Sequence, residues 1–374
     1  MSDPGSSPPP PASTLAAETG GRTVGRVLLL LLAAVPLAGL SEKFGGSASL
    51  SFVLAVVGMI PLAGFMGRAT QEIAVRSTPA LGALVNATFG NAVELILSAT
   101  LLLGANNPDA PRVVRGSLVG SLVTNLLLLI GLSMFAGGLK YREQRFNQTA
   151  AGVSASLLII AFAGVSIPTM FANFVGPGPV GVLSRVVSVI LALVYLGGLV
   201  FTLLTHRHLF DAVDEVRETR RAEWSVRRAL GVLLLTTLAV AFLGTVVERT
   251  LDQAGRQLGL SKTFVGVIVI GVITNVAENL SAITYARRNL IDLSIQIGTS
   301  STIQINLFVV PILVFLGYLG GRPFDLHFTL FEISVMLLSV MIINHLATDG
   351  VCNWLEGLEL VALYGIIATA FFFA

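Results

Sequence analysis

The composition of the chain sets its class before any motif is considered. Of 374 residues, 54% are hydrophobic and only 12% are charged, which is about half the charged fraction of an average globular protein. The mean hydropathy of +0.84 indicates an integral membrane protein embedded in a lipid bilayer. The net charge of +2 and the scatter of arginines through short loops argue against nucleic acid as a partner. The single cysteine, Cys352, excludes an internal disulfide and a cysteine metal cluster.

The chain begins with a segment that has no hydrophobic pattern. Residues 1–23 are rich in Pro, Ser, Gly and Thr, and because such a composition cannot bury enough surface to fold, we predict a disordered tail. The apolar run at 24–41 lacks a clear signal-peptide cleavage site, which favours a retained first transmembrane helix. Ten further apolar runs are each close to the length of about 20 residues that crosses a bilayer; they lie at 50–67, 81–104, 116–138, 149–171, 179–205, 229–247, 264–286, 293–318, 328–346 and 354–373.

Eleven spans place the two termini on opposite sides of the membrane. With the N-terminus in the cytoplasm, fifteen Lys and Arg residues lie on the inner side and eight on the outer side. This distribution satisfies the positive-inside rule. We therefore predict a cytoplasmic N-terminus and an external C-terminus, and the short tails and linker suggest a prokaryotic inner (plasma) membrane.

The longest charged segment, at 206–228, divides the spans into two sets. It is predicted to be a cytoplasmic linker between two five-helix units at 50–205 and 229–374. Because five is odd, the second set enters the membrane in the opposite sense to the first. The predicted fold class is an all-α integral membrane protein with eleven transmembrane helices, in which TM1 stands outside two inverted-topology five-helix repeats, TM2–6 and TM7–11.

Two of the apolar runs carry a glutamate near their middle. Asn91 and Glu94 lie in the third span, and Asn275 and Glu278 lie in the eighth span with the same spacing. The three-residue offset places each Asn on the same helix face as its Glu. An acidic side chain at the centre of a membrane helix costs roughly 2.5 to 3.5 kcal/mol on insertion scales, so such residues usually face a cavity, a partner or an ion path.

A second pair of polar residues recurs in the spans that follow. Ser121 and Thr124 lie in the fourth span, and Ser301 and Gln304 lie in the ninth, again three residues apart. In an inverted repeat, these four pairs would converge near the midplane of the membrane. Glycines nearby are expected to let helices approach closely or to expose backbone carbonyls as further ligands; they are Gly90, Gly120 and Gly298.

The residue types in the four pairs predict which ion they bind. Carboxylates, amides and hydroxyls supply only oxygen, which suits Ca²⁺, with its 6 to 8 oxygen ligands, or Mg²⁺ or Mn²⁺, rather than Zn²⁺ or Cu. Two glutamates would neutralise one divalent cation. Without a cation, burial and mutual repulsion favour protonated carboxylates, so H⁺ and the cation would compete for one site and could be exchanged. No motif for an organic cofactor is present.

Other interpretations of the same residues stay open. A single Glu with a neighbouring Asn can be an interhelical hydrogen-bond clamp, although recurrence at matching places favours an ion site. A passive cation channel could use the two glutamates as part of a charged ring, but such rings are normally made by symmetric subunits. No nucleotide loop, nucleophile elbow or zinc motif indicates an enzyme.

Three stretches resemble the signatures of a known transporter family. The segment GRATQEIAVRSTPALGALVNATFGNAVELI at 67–96, together with GVITNVAEN and SSTIQINLFVVP, is similar to the calcium/cation–proton exchanger family of the cation/Ca²⁺ exchanger superfamily. The resemblance covers essentially 24–374. It implies an eleven-helix fold that exports Ca²⁺ in exchange for inward protons, with Glu94 and Glu278 as shared carriers. The family's other ion ligands match Asn91, Asn275, Ser121, Thr124, Ser301 and Gln304.

The same resemblance points to acidic residues outside the central site. Glu72 and Glu248 match acidic positions near the mouths of the ion path, although each also fits an ordinary interfacial charge. The family's central acidic helix is reduced here to acidic residues interleaved with arginines, which favours a solvated linker over a Ca²⁺ sensor; these residues are Asp211, Asp214, Glu215, Glu218 and Glu223.

One further departure from the family and one rival function complete the sequence-based expectations. Thr124 stands where the family more often has serine, which keeps the hydroxyl and adds a methyl group. The rival is a Na⁺/Ca²⁺ exchanger of the same fold, which usually has a proline near the acidic residue in the third and eighth spans, and neither span contains one. Stoichiometry, the choice among Ca²⁺, Mn²⁺ and Mg²⁺, and assembly into a homo-oligomer stay undetermined.

Overall fold

The computed structural model describes residues 27, 29–77, 79–104, 108–176, 178–206 and 223–373. The predicted tail at 1–23 lies outside these residues, as do most of the predicted linker and four of its acidic side chains, Asp211, Asp214, Glu215 and Glu218. Within the described residues, the elements of the first half that have defined bounds are α1 Ala34–Lys43, α2 Ala48–Ala74, α3 Pro79–Phe89, α4 Ala92–Leu103, α5 Ala110–Gly138, β1 Gln144–Arg145, α6 Gln148–Phe174 and α7 Val180–Thr205.

The second half is likewise almost entirely helical in its described part. One further two-residue strand pairs with β1. The elements are α8 Val226–Leu258, α9 Lys262–Thr274, α10 Val276–Ala286, α11 Ile291–Leu319, α12 Leu330–Leu346, β2 Val351–Cys352 and α13 Trp354–Phe373.

Many of these helices are long and apolar enough to cross a membrane. In the described part of the chain, seven qualify alone, namely α2, α5, α6, α7, α8, α11 and α13. The consecutive helices α9 and α10 qualify together as a span bent by 54°, and α4 and α12 are shorter apolar helices. The protein is therefore an integral, multi-pass helical membrane protein, as predicted. The count of eleven spans and the inverted repeats stay predictions.

Burial distinguishes central helices from peripheral ones. In the 18-residue hydrophobic stretch of each helix, the buried share of residues is 83% in α5 and 61% in α11, but only 17% in α7. The exposed side of α7 consists of large apolar side chains, including Val186, Ile190 and Leu193. Such a surface suits lipid rather than water, so α7 lies at the periphery and the polar pairs on α5 and α11 lie at the centre.

Several helices begin at a polar residue whose side chain accepts a hydrogen bond from the backbone of the first turn. This cap satisfies one of the amide groups that the helix itself leaves without a partner. The capping residues are Ser47, Asn147, Ser225, Ser261 and Thr329. The helices α4 and α10 differ, because the asparagines that precede them make no such cap.

Both glutamate-bearing spans are broken where the sequence predicts continuous helices. The third span ends as α3 at Phe89 and restarts as α4 after Asn91, and the eighth span breaks between α9 and α10 at Asn275. The two asparagines share a similar non-helical backbone, with φ and ψ of −103° and 25° at Asn91 and −100° and 5° at Asn275. Broken helices at membrane depth are tolerated where they line a site inside the protein.

Glycines allow α5 and α9 to cross at very short range. A Cβ atom on Gly120 would overlap the carbonyl group of Val267, and a Cβ on Gly271 would lie 2.7 Å from the backbone of Gly120. Gly298 is equally close to the backbone of Asn125, where a Cβ would lie 2.8 Å from the carbonyl oxygen. The expected close approach is thus confirmed at Gly120 and Gly298, and it brings polar side chains from both halves of the chain together.

The antiparallel strands β1 and β2 form a small ladder that the sequence pattern did not predict. Gln144 pairs with Cys352, and Arg145 pairs with Val351. The Gln144 side chain also donates to the Ala286 carbonyl at the end of α10, at 2.9 Å. Cys352 is buried in this ladder, and burial, followed by the charge of Glu356, raises the pKa of its thiol to about 12. The thiol is therefore protonated and poorly reactive at neutral pH.

Candidate ion-binding site

Glu94 lies at the centre of a hydrogen-bonded group that joins the two halves of the chain. Its side chain is only 3% exposed. One carboxylate oxygen, Oε1, accepts hydrogen bonds from Nδ2 of Asn275 at 2.9 Å and from Oγ1 of Thr274 at 3.1 Å. The hydroxyl of Ser121 donates to the same oxygen. Two of these three donors come from the second half, so the Glu94 group is an assembly of both halves.

Asn275 has a second structural task besides binding Glu94. Its Nδ2 atom donates to the Gly271 carbonyl at 2.8 Å, and Thr274 donates to the Ile270 carbonyl at 3.0 Å. The Gly271 carbonyl lies in the last turn of α9, where four carbonyl groups have no intrahelical partner. The break between α9 and α10 is therefore satisfied in part by the same asparagine side chain that contacts Glu94.

The matching asparagine of the first half has different partners. The Nδ2 atom of Asn91 donates to Oε1 of Gln304 at 2.8 Å, and its Oδ1 atom accepts from the Ser301 hydroxyl at 3.0 Å. Asn125 in turn donates to the Ser301 oxygen at 3.0 Å. This second group also joins both halves, because Ser301 and Gln304 belong to α11.

Glu278 lies beside the second group. Its carboxylate interacts with the Ser301 side chain and lies within electrostatic range of Glu94. The other oxygen, Oε2, is buried and has no hydrogen-bond donor among the described residues. A buried acceptor without a partner costs about 1–3 kcal/mol. A bound cation or proton would remove this cost, so Glu278 Oε2 marks a place for a positively charged ligand.

Each glutamate occupies the third position of a helix that begins inside the protein. Glu94 is in the first turn of α4, and Glu278 is in the first turn of α10. The positive end of the helix dipole stabilises a nearby carboxylate by about 0.3–1 kcal/mol. The two helix starts thus offset part of the cost of placing two acidic side chains at membrane depth.

The structure brings together seven of the eight predicted ligands, and it adds two that the sequence analysis missed. Thr124 is fully buried, but it shares no hydrogen bond with either group within the described residues. The added residues are Asn125 and Thr274, which directly follow Thr124 and directly precede Asn275. A polar neighbour of a predicted ligand inside an apolar span was the available signal. A π-helical turn, which often occurs at functional sites, begins at Thr124.

Glu72 on α2 has a well-defined environment away from the two groups. It is buried, and its Oε2 atom accepts a hydrogen bond from the Trp224 backbone amide at 3.0 Å. Two guanidinium groups contact the Trp224 ring, those of Arg68 at 4.7 Å and Arg228 at 4.8 Å from its centre. The end of the charged segment therefore packs on Glu72. Its role at a mouth of the ion path stays a prediction.

Glu248 on α8 lies beside the C-terminal end of α4, whereas Glu94 lies in the first turn of that helix. Its side chain is buried against Gly104, where an added Cβ would lie 2.8 Å from the Glu248 carboxyl carbon. The Gly104 carbonyl accepts a hydrogen bond from Arg322. Glu248 therefore contacts the C-terminus of the helix that carries Glu94, and its predicted role at the second mouth likewise stays a prediction.

Comparison with known proteins assigns the family. The sequence profile of the sodium/calcium exchanger protein family matches residues 47–204 and 228–373. The chain belongs to this family. The matched ranges include every side chain of the two hydrogen-bonded groups, so the candidate site lies within the part of the chain that matches the family.

Two relatives and one solved structure match nearly the whole chain. The chain is 39% identical to a Ca²⁺/H⁺ antiporter of Synechocystis sp., and the match covers 94% of this chain and 98% of that protein. It is 38% identical to the Ca²⁺/H⁺ antiporter ChaA of Bacillus subtilis, with 93% and 99% covered. The crystal structure of the selenium-substituted Ca²⁺/H⁺ antiporter protein YfkE superposes with a TM-score of 0.80 at 35% identity, covering 93% and 100%. The family predicted from the sequence signatures is confirmed.

Proposed function

We propose that this protein is a secondary active transporter that exchanges cytoplasmic Ca²⁺ for external H⁺. Relatives that match nearly the whole chain are named as Ca²⁺/H⁺ antiporters. The observation that carries the proposal is that the carboxylates of Glu94 and Glu278 lie among neutral oxygens from both halves, and that the buried Oε2 atom of Glu278 has no donor among the described residues. A transported cation or proton would occupy that position.

The proposed roles of the residues follow from their chemistry. Glu94 and Glu278 bind Ca²⁺ or protons in turn, because one divalent cation balances two carboxylates and two protons neutralise them equally. Hydroxyl and amide oxygens complete the coordination shell of a hard cation. The proposed neutral ligands are Asn91, Asn275, Ser121, Thr124, Ser301 and Gln304, and Glu72 and Glu248 are proposed to lie on the paths that lead to the site.

Competition for one site explains how the two fluxes are coupled. Two buried negative charges without a cation repel each other, which favours their protonation, and Ca²⁺ binding requires the protons to leave. If the transporter reorients only when its carboxylates are neutralised, Ca²⁺ must move one way when H⁺ moves the other way. Reorientation of two inverted five-helix units around a central site is the proposed form of alternating access.

The experiment that tests this function is ⁴⁵Ca²⁺ uptake into proteoliposomes with an imposed pH gradient. We expect uptake by the intact protein that requires the gradient and is abolished by a protonophore. Glu94→Gln and Glu278→Gln are each expected to abolish uptake. The matched control is Glu359→Gln, which removes an exposed carboxylate on α13 and should transport normally. Flux without gradient coupling would instead indicate a channel, and flux driven only by Na⁺ would indicate Na⁺/Ca²⁺ exchange.

The proposed orientation is also testable. We propose eleven spans with a cytoplasmic N-terminus and an external C-terminus, which places the exposed residues Lys43 outside and Arg142 inside. Because Cys352 is buried and its thiol has a pKa of about 12, the native cysteine should give little background labelling. A membrane-impermeant maleimide should label Lys43→Cys in intact cells and Arg142→Cys only after permeabilisation. The reverse pattern would contradict the orientation.

A further inference from the structure

A polar cavity lies at one end of the bundle, apart from the ion-binding groups. Three helix ends meet there: the start of α5, the end of α6 and the start of α12. The cavity has a volume of about 330 Å³, within the range of small-molecule sites, and its lining is formed by Arg112, Arg115, Asn173, His327, Phe328, Thr329, Leu330 and Glu332.

Two guanidinium groups line this cavity, and they differ in how firmly they are held. Arg115 donates to the Asp325 carbonyl at 3.3 Å, and its guanidinium lies 5.8 Å from the centre of the Phe324 ring. Arg112 is exposed and has no ion pair or hydrogen bond to another described side chain. One guanidinium is therefore fixed by the protein, and the other is available to a ligand.

The acidic residue in the cavity does not cancel this charge. Glu332 is 3% exposed, and its Oε2 atom accepts hydrogen bonds from both the backbone and the hydroxyl of Thr329 in a capping box at the start of α12. Among the lining residues, one carboxylate stands against two guanidinium groups, so the lining itself keeps a net positive charge. The Asp325 carboxylate, which is not part of the lining, also lies within electrostatic range of Arg115. His327 is exposed at the same place and offers a further donor.

The helix ends that form the cavity also carry exposed apolar side chains. Leu330 and Phe331 at the start of α12 are 51% and 41% exposed, and Met170 and Phe174 near the end of α6 are 46% and 76% exposed. In a membrane protein, such side chains face lipid chains. The cavity therefore lies at the boundary between a lipid-facing surface and a cationic pocket.

We propose that this cavity binds the phosphate group of an anionic phospholipid. Guanidinium groups bind phosphate oxygens through strong, directional, charge-assisted hydrogen bonds, and the exposed apolar side chains of the helix ends would contact the acyl chains. A transported cation does not fit here, because two guanidinium groups would repel it. The site is distinct from the ion-binding groups, since Arg115 precedes Ser121 by six residues of helix, or about 9 Å.

The test is native mass spectrometry of the full-length protein in detergent, titrated with phosphatidylglycerol or phosphatidylcholine. We expect the intact protein to retain phosphatidylglycerol preferentially. Arg112→Gln should weaken its retention about tenfold, as expected for one charge-assisted contact, and His327→Ala should weaken it less. The matched control is Arg256→Gln, which removes an exposed guanidinium at the end of α8 and should retain the lipid fully.

Both test variants change exposed side chains, so thermal unfolding curves should match those of the intact protein. Equal retention of the two lipids by the intact protein would overturn the proposal. So would an equal loss in Arg112→Gln and Arg256→Gln, because that result would indicate only non-specific charge attraction. Displacement of phosphatidylglycerol by millimolar inorganic phosphate, with phosphate adducts retained instead, would show that the cavity takes a free anion and would overturn the assignment to a lipid.

Discussion

The two glutamate-bearing spans have closely similar sequences and backbone breaks, yet their carboxylates lie in different surroundings. Glu94 has a carboxylate oxygen with three donors. Glu278 has a buried oxygen with no donor in the described part of the chain. The two positions are therefore not equivalent. The Glu94 oxygen is hydrogen-bonded by protein side chains, whereas the Glu278 oxygen is free to bind a ligand.

Part of the difference traces to the residues that follow in the next span. In the second half, position 304 is a glutamine whose long side chain reaches Asn91. In the first half, the matching position is Thr124, which does not reach Asn275. The Asn275 amide therefore donates a hydrogen bond to Glu94, whereas the Asn91 amide donates to Gln304. A second pair of unlike residues also contributes, because Thr274 donates to Glu94 whereas the matching residue of the first half is Gly90, which has no side chain.

The largest expected effect concerns Ca²⁺ binding itself. At about 100 times the dissociation constant, a ligand that binds only the folded state stabilises it by about 2.7 kcal/mol. We expect a Ca²⁺-dependent rise in the thermal unfolding temperature of the intact protein and no rise in Glu278→Gln. The control Glu359→Gln should respond like the intact protein. A full response in Glu278→Gln would exclude this carboxylate as a ligand.

The next effect compares the carboxylates without Ca²⁺. Glu94→Ala leaves the donors of Ser121, Thr274 and Asn275 without their acceptor, so we expect a loss of about 1–3 kcal/mol in stability. Glu278→Ala removes one oxygen that lacks a donor and one contact with Ser301, so we expect a smaller loss of stability than in Glu94→Ala. Thermal unfolding in a Ca²⁺ chelator measures both. Equal losses in the two variants would mean that the half-sites are equivalent.

Acid is expected to weaken Ca²⁺ binding. Metal-binding carboxylates must be deprotonated, so a lower pH favours protons and a higher pH favours Ca²⁺. If one proton is displaced, the apparent dissociation constant rises about tenfold per unit of pH decrease, or about 1.4 kcal/mol, and two protons give a steeper slope. Calorimetric titrations at several pH values measure this slope. A dissociation constant that is independent of pH would contradict competition between the two ions.

The smallest effect tests the origin of the asymmetry. Gln304→Thr gives the second half the residue of the first and removes the acceptor of the Asn91 amide. We expect a loss of about 1 kcal/mol, the usual contribution of one hydrogen bond. Gln253→Thr, at an exposed position on α8, is the control for the loss of a glutamine. If both variants unfold alike, the Asn91 amide does not depend on Gln304.

The sequence alone determined the class of the protein and most of the candidate site. Apolar runs of bilayer length can be recognised without a structure because water and lipid impose the pattern on every helix. Glu94 and Glu278 could be identified because a carboxylate inside such a run is expensive unless it has a function. Asn91, Asn275, Ser121, Ser301 and Gln304 followed from spacing, since three residues place two side chains on one helix face.

Only the tertiary structure decided how these side chains pair. Asn91 and Asn275, at the two helix breaks, form hydrogen bonds with residues from distant parts of the chain. A local run of apolar residues does not show which distant residues these are. Asn125 and Thr274 form hydrogen bonds within the two groups, whereas Thr124 forms none there. Which polar side chains meet depends on how helices of the two halves pack, including the close contact at Gly120. The local sequence determines which polar side chains lie on each face of a helix, and helix packing determines which of them form hydrogen bonds with each other.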